Sequence, residues 1–222
     1  MQFETAWNRI GLLPYTNEER CRKLYSLIVE NGLGSVLELG FAYGKMTCVA
    51  AAAVEEVTGL RGPVFAVDLE AGIKWQHPAI EQTVSALGLE EWVRVFREKV
   101  SYQWWLIEYM DYRARLGLPY PAFDLIILDG AHNVYHDTGA FFMAERLLKP
   151  GGYLIVDDLP WVPAKGMTAP IIWDIDIRTW SEDEQNTAHM QLIWDLLVKT
   201  HPSFDCFDET DGWWGIARKR RE

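Results

Sequence analysis

Asp129 closes one strongly apolar run, PheAspLeuIleIleLeuAsp (123–129). Asp157 and Asp158 close another, TyrLeuIleValAsp (153–157) with its next residue. Carboxylates gathered in one place repel one another and raise at least one pKa unless a cation sits among them. Hard oxygen donors of this kind suit Mg²⁺, which binds oxygen at about 2.0–2.1 Å and keeps some of its water. His132 stands three residues beyond Asp129. An imidazole titrates close enough to neutrality to take a proton from a reacting group. A third signal lies upstream, in VLELGFAYGKMT (36–47): an apolar run, the acid Glu38, Gly40, then Gly44 and a helix-like stretch.

The glycine turn narrows the ligand. In open α/β sheets, ligands lie at the carboxyl ends of the strands. A dinucleotide fingerprint needs a glycine two residues after the first, so that backbone can approach a pyrophosphate. That position is Ala42 here, and the spacing is Gly40-xxx-Gly44. Glu38 would also repel an anion. A ligand with a positive centre fits better. S-adenosylmethionine (SAM) carries a sulfonium and an ammonium and has no phosphate. Asp68 closes the run ValPheAlaValAsp (64–68) and is placed to accept hydrogen bonds from ribose hydroxyls.

These residues need a scaffold, and the pattern of the chain supplies one. Apolar strands are expected at 35–39, 64–68, 93–97, 123–129 and 153–157. Helices are expected at 18–31, 45–58, 78–87, 102–116, 138–148 and 183–200, on apolar periodicity and glycine stops. Strands that alternate with helices and lack a wet face indicate a mostly parallel, doubly wound sheet of α/β class. Residues 204–209 and 213–218 flank ThrAspGly, a hairpin signal that adds one antiparallel strand. No linker interrupts the chain, so residues 1–222 read as a single domain. Residues 159–182 form a long connection bearing Pro and Trp, and connections of that length are usually functional or disordered.

Composition excludes several classes. A net charge of −11 argues against nucleic-acid binding and against anionic membrane surfaces. The basic stretch 218–221 reads as solvated. No apolar stretch is long enough to span a bilayer, and the first residues lack the features of a signal peptide. Cys21, Cys48 and Cys206 are scattered and odd in number, without disulfide or zinc spacing. These features indicate a cytoplasmic protein with neither a nucleic-acid nor a membrane partner. Assembly as a homo-oligomer is left open.

GluLeuGlyPheAlaTyrGlyLysMetThr resembles the first motif of class I SAM-dependent methyltransferases, in the branch whose turn reads ExGxxxGxxT. The likeness continues through ValAspLeu (67–69), PheAspLeuIleIleLeuAspGlyAlaHis (123–132) and LeuLysProGlyGlyTyrLeuIleValAspAsp (148–158). The closing hairpin matches that family's antiparallel seventh strand. The resemblance therefore implies a seven-stranded, Rossmann-like methyltransferase fold, with residues 1–31 as an N-terminal helical lid segment. It implies that Glu38, Gly40, Tyr43, Gly44, Thr47, Asp68, Ser101 and Asp129 bind the cofactor SAM. Metal-dependent sugar and natural-product O-methyltransferases carry an Asp after strand four and a pair after strand five. That pattern implies Mg²⁺ at Asp129, Asp157 and Asp158, with His132 as base, because the other base position of the family is Ala131.

One departure stands out. LysValSer (99–101) replaces the family's GlyAspSer, so Ser101 fits while the adenine-binding acid is missing. Trp104 either stacks there or packs its helix with Trp105. Tyr135 is a candidate for the cavity wall, and Asp137 for the N-cap of the next helix. Trp161, Trp173, Asp174 and Asp176 are candidates for the substrate side, beside Trp7 and Tyr15 of the N-terminal segment. His136 is a weaker base, while His77, His189 and His201 read as surface or structural. The expected substrate is a small hydroxylated molecule. A metal-free O- or N-methyltransferase and a non-catalytic SAM-fold binding protein are the alternatives; a NAD-type dehydrogenase is disfavoured by Ala42.

Overall fold

The computed structural model describes residues 1–59, 64–166, 171–172 and 175–221. Seven strands form one sheet: β1 (Val36–Leu39), β2 (Val64–Leu69), β3 (Val93–Glu98), β4 (Phe123–Leu128), β5 (Leu148–Val156), β6 (Phe204–Thr210) and β7 (Trp214–Lys219). Their order is β3-β2-β1-β4-β5-β7-β6. The first five are parallel, and β7 runs antiparallel to both β5 and β6. The doubly wound, mostly parallel sheet with one antiparallel strand is thus the fold.

The strands are apolar on both faces because helices cover both. Leu125 and Ile127 of β4 join one core with Val36, Ala66 and Ile155. Ile126 and Leu128 join the other with Leu37, Leu39 and Val156. This is the two-residue alternation of a strand applied to a sheet without a wet side. The first core is roofed by α1 (Phe3–Ile10), α2 (Glu18–Asn31), α3 (Lys45–Thr58) and α4 (Ile80–Leu87). Ala50 to Ala53 of α3 are fully buried, and their small side chains let α1 and α2 pack closely upon it. The second core is covered by α5 (Tyr102–Arg115), α6 (Val134–Leu147) and a late helix, His189–Ile193, which continues as a π-helical stretch, Trp194–Val198.

Local signals set the helix ends. Asn17 caps α2 by accepting from the Arg20 amide at 2.9 Å, and Gly32 ends it in the left-handed conformation, φ 63°. Helix α6 begins at Val134, four residues before the expected start. Its N-cap is Asn133, whose side chain accepts from the Tyr135 and His136 amides, each at 3.1 Å. Asp137 is therefore not the cap. It is fully buried in the first turn, where it accepts from the Asn133 amide and the Tyr102 hydroxyl. The helix expected over 183–200 is also divided. Glu182–Gln185 is a separate turn, and the chain is helical again only from His189. Strand β5 starts at Leu148, so LysProGlyGly lies within the strand.

Phe123 is 1 % exposed and meets Phe65 and Tyr109 on the second face. Phe123→Ala is expected to cost about 3–5 kcal/mol of unfolding free energy with an unchanged denaturant slope. A denaturation curve that shifts by less than about 1 kcal/mol would mean that this aromatic layer does not hold the helices on the sheet.

Candidate active site

The site starts from register. Leu39 of β1 lies opposite Leu128 of β4, and Leu128 lies opposite Val156 of β5. The next residues on these three neighbouring strands are Gly40, Asp129 and Asp157. Neighbouring strands lie about 4.8 Å apart, so whatever leaves these ends emerges side by side. Backbone bonds continue past the strands, from the Gly40 amide to Val67 O (2.8 Å), Asp129 to Leu39 O (2.9 Å) and Asp157 to Leu128 O (3.0 Å).

The glycine turn is shaped by crowding. Gly40 has φ 89°, and a Cβ there would collide with the Asp129 carbonyl. Gly44, φ 78°, is the N-cap of α3, and a Cβ there would strike Ile80. Asp68 holds the turn between them. Its carboxylate accepts from the Phe41 (3.2 Å) and Ala42 (3.0 Å) amides, from Leu69 N (2.7 Å) and from Gln76 Nε2 (3.0 Å). Protein donors thus orient the carboxylate expected to meet the ribose: three of them reach Oδ2, while Oδ1 accepts only the Leu69 amide among the described residues. Thr47 is likewise turned inward, donating its hydroxyl to Glu38.

A cavity of about 490 Å³ opens above these strand ends. Glu38, Gly40, Tyr43, Asp68, Asp129, His132, Asp157 and Asp158 all line it, so most of the expected site residues share one space. Gly44 and Thr47, also expected at the cofactor, are not among its lining residues: Gly44 packs against Ile80 and Thr47 bonds Glu38. Ser101 is elsewhere. It caps α5 by accepting from the Gln103 amide (3.2 Å), and it lines a second cavity of about 670 Å³ with Glu70, Arg97 and Trp104. Trp104 is 59 % exposed on that second cavity, whereas Trp105 is buried and stacked on Tyr109.

The acids perturb one another. Burial, then Asp157 and Asp158, hold the Asp129 carboxyl well above the usual carboxylate range. Asp157 is raised to about 6 by burial and by Asp158; its Oδ1 accepts the Asp158 amide at 2.6 Å. Glu38 is raised to about 8, by burial first and then by Asp68 and Asp157, against the hydrogen bond from Thr47. His132 Nε2 lies 3.6 Å from Asp158 Oδ2, its ring packs against Trp161 at 5.4 Å, and its buried Nδ1 has no hydrogen-bond partner among the described residues. One ligand atom each from Asp129, His132 and Asp158 lie within 4.8 Å of one another. The two carboxylate oxygens of that group, with Asp157 in the same cavity wall, fit a divalent cation that keeps part of its water, and the imidazole nitrogen lies beside them.

Tyr15, Ala42, His132 and Asp158 all line the cavity with φ between 45° and 72°, in the left-handed region that side chains rarely adopt. Such strain concentrates where a scaffold fixes functional groups. Arg20, Trp75 and Trp213 also line this wall, beyond the residues expected there. No local motif marks them. Tyr135 is not in the wall; its hydroxyl bonds Glu184. Trp7 stacks on Phe3 instead. His136 is half-buried beside Asn133 outside the cavity, and His189 is buried, bonding the Val134 amide (3.3 Å). Trp161 lines the cavity, while Trp173, Asp174 and the Asp176 side chain lie outside the described residues. Among the described residues, no helix is long and apolar enough to cross a membrane.

With the geometry in place, likeness to known proteins is informative. Residues 37–159 match the family model described as a methyltransferase domain. No curated protein matches the sequence. Among solved structures, the fold is similar to an O-methyltransferase from Bacillus cereus in complex with SAH (TM-score 0.65, 16% identity, 99% of this chain and 92% of that one). It is also similar to the O-methyltransferase TomG from Streptomyces achromogenes in complex with SAM (0.60, 13%, 97% and 86%). The SAH-bound methyltransferase of Podospora anserina is a third (0.62, 14%, 98% and 86%).

A buried acid that binds its proton more tightly when folded contributes stability at low pH and loses it as pH rises through the folded pKa. Glu38, raised from 4.5 to about 8, gives that sign, and Asp129 and Asp157 add to it. The ligand-free protein should therefore melt at progressively lower temperature between pH 4.5 and pH 8, and Glu38→Gln should flatten the decline. Thermal scans across that range decide; an equally steep decline in the variant would remove Glu38 from the account.

Proposed function

This chain belongs to the methyltransferase-domain family, and from that premise we propose that it transfers a methyl group from S-adenosylmethionine to a hydroxyl oxygen of a small molecule, with Mg²⁺ held at Asp129, Asp157 and Asp158. The observation that carries the reading is the convergence of the glycine turn, three carboxylates and His132 on one cavity. Its volume falls within the few hundred cubic ångströms typical of small-molecule sites.

Methyl transfer is a displacement in which the acceptor oxygen must lose its proton and lie in line with the sulfonium. Gly40 lets the chain turn tightly against the Asp129 carbonyl at the floor of the space the donor would fill. Glu38 faces the same space, and a cationic donor there favours its ionised form against the cost of burial. When bound, the metal supplies Lewis-acid and template chemistry: it lowers the pKa of the acceptor hydroxyl and fixes its orientation. His132 takes the proton at Nε2, and Asp158, 3.6 Å away, stabilises the resulting imidazolium. Trp161 covers one side of the imidazole and limits its access to water. A metal-free version of the same transfer is the second reading. It is favoured by the His132–Asp158 pair, a base with its own counter-charge.

A screen with labelled SAM against sugar, phenol and catechol acceptors tests the activity. Label transfer to oxygen is expected, and a protein that binds SAM yet modifies no hydroxyl in the screen would count against the acceptor class. Chelation followed by added Mg²⁺ separates the two readings, since full activity in EDTA leaves only the metal-free one. His132→Ala should lower kcat about 10²–10⁴-fold at neutral pH, with part of the loss regained as pH rises. An undiminished rate in that variant would remove His132 as the base.

A further inference from the structure

The cavity that gathers five carboxyl groups also has two cationic side chains in its wall, Lys45 and Arg20. They differ in what they have left to offer. Lys45 is 6 % exposed, and its Nζ donates to Thr16 O (2.8 Å) and Gly11 O (3.4 Å) while facing the Trp7 ring. Its hydrogen-bonding capacity is directed at the loop before α2, so it serves as a tether for that loop.

Arg20 is fixed but only partly used. Its Nε donates to Asp211 Oδ2 at 2.6 Å, and its guanidinium lies 5.2 Å from the centre of the Trp213 ring. The side chain is 14% exposed. Asp211 is itself oriented, since its Oδ1 accepts from the Trp213 amide at 3.1 Å. One edge and one face of the guanidinium are therefore held by the β6–β7 turn. Nη1 and Nη2 make no hydrogen bond to any described residue, although they belong to a residue of the cavity wall. A guanidinium presents its two terminal nitrogens as a planar fork that matches a carboxylate, and a fork fixed beforehand loses little entropy on binding. The surrounding acids would strongly disfavour a dianion, so a single negative charge suits a single free fork.

We infer that Arg20 binds a ligand carboxylate through its free guanidinium edge, so that the molecule methylated or the molecule that donates the methyl group carries an acid group to this corner of the cavity. The carboxylate has two sources: the amino-acid end of the methyl donor, or an acidic group on the acceptor. Naming the donor and acceptor rests on the methyl-transfer reading above; the free fork does not.

Calorimetry on the full chain separates these cases. The donor arm compares S-adenosylhomocysteine with its decarboxylated analogue. The acceptor arm compares 3,4-dihydroxybenzoate with catechol, with and without S-adenosylhomocysteine present. In at least one arm the wild type should prefer the carboxylate by about tenfold to a hundredfold, the worth of a charge-assisted hydrogen-bonded pair. Arg20→Gln should erase that preference and leave binding of the neutral partner of the pair unchanged. Asp211→Asn removes the same ion pair yet keeps the guanidinium, so it should retain the preference. That control separates carboxylate binding from a purely structural role in docking the hairpin. No carboxylate preference in either arm, or a preference that survives in Arg20→Gln, overturns the inference. If the wild type binds no adenosyl ligand but does prefer dihydroxybenzoate through Arg20, the methyl-transfer reading fails and the carboxylate site stands.

Discussion

Three parallel strands end level with one another, and the acids of the site depend on that register. Because Leu39, Leu128 and Val156 share one register line, the chain turns out of the sheet at Gly40, Asp129 and Asp157 within a single small area. A shift of one residue in any of these pairings would point an acid toward the opposite face of the sheet, since side chains alternate. The apolar cores on both faces prevent such a shift. They hold Ile126 and Leu128 to one side and Leu125 and Ile127 to the other. The chemistry of the site is thus fixed by packing well away from it.

The acids at those strand ends set up an electrostatic imbalance in the ligand-free protein. Burial and mutual repulsion raise Glu38, Asp129 and Asp157 together, and a cation among them would favour their ionised forms. A positive ligand would offset the repulsion among these carboxylates. Asp68 does not share in this function to the same degree, because four protein donors surround it. It keeps the loop after Gly40 folded against β2 while lining the cavity beside Glu38.

Much of this was legible in the residues. The five parallel strands stand out as apolar runs too continuous for a half-wet sheet, and the hairpin is marked by ThrAspGly. The convergence of Asp129, Asp157 and Asp158 follows once strands four and five are neighbours. The rest was hidden for identifiable reasons. Asn133 and Asp137 are both good cap residues, and what decides between them is Tyr102, thirty-five positions from Asp137, whose hydroxyl draws that acid into the interior. The partners of Asp68 are backbone amides, which sequence does not label. Trp213 and Arg20 carry no local motif, because their roles arise only from the meeting of α2 with the distant β6–β7 turn.

That meeting has a consequence for how the protein is born. The ion pair between Arg20 and Asp211 joins positions 191 apart, and the Leu159 amide bonds the Trp213 carbonyl on the same turn. A nascent chain leaving the ribosome can assemble the five parallel strands before this wall exists, because domains acquire structure from the N-terminal side during synthesis. The pocket is completed only when the last hairpin folds back across it. This wall of the cavity therefore forms only once the chain has been made through Trp213.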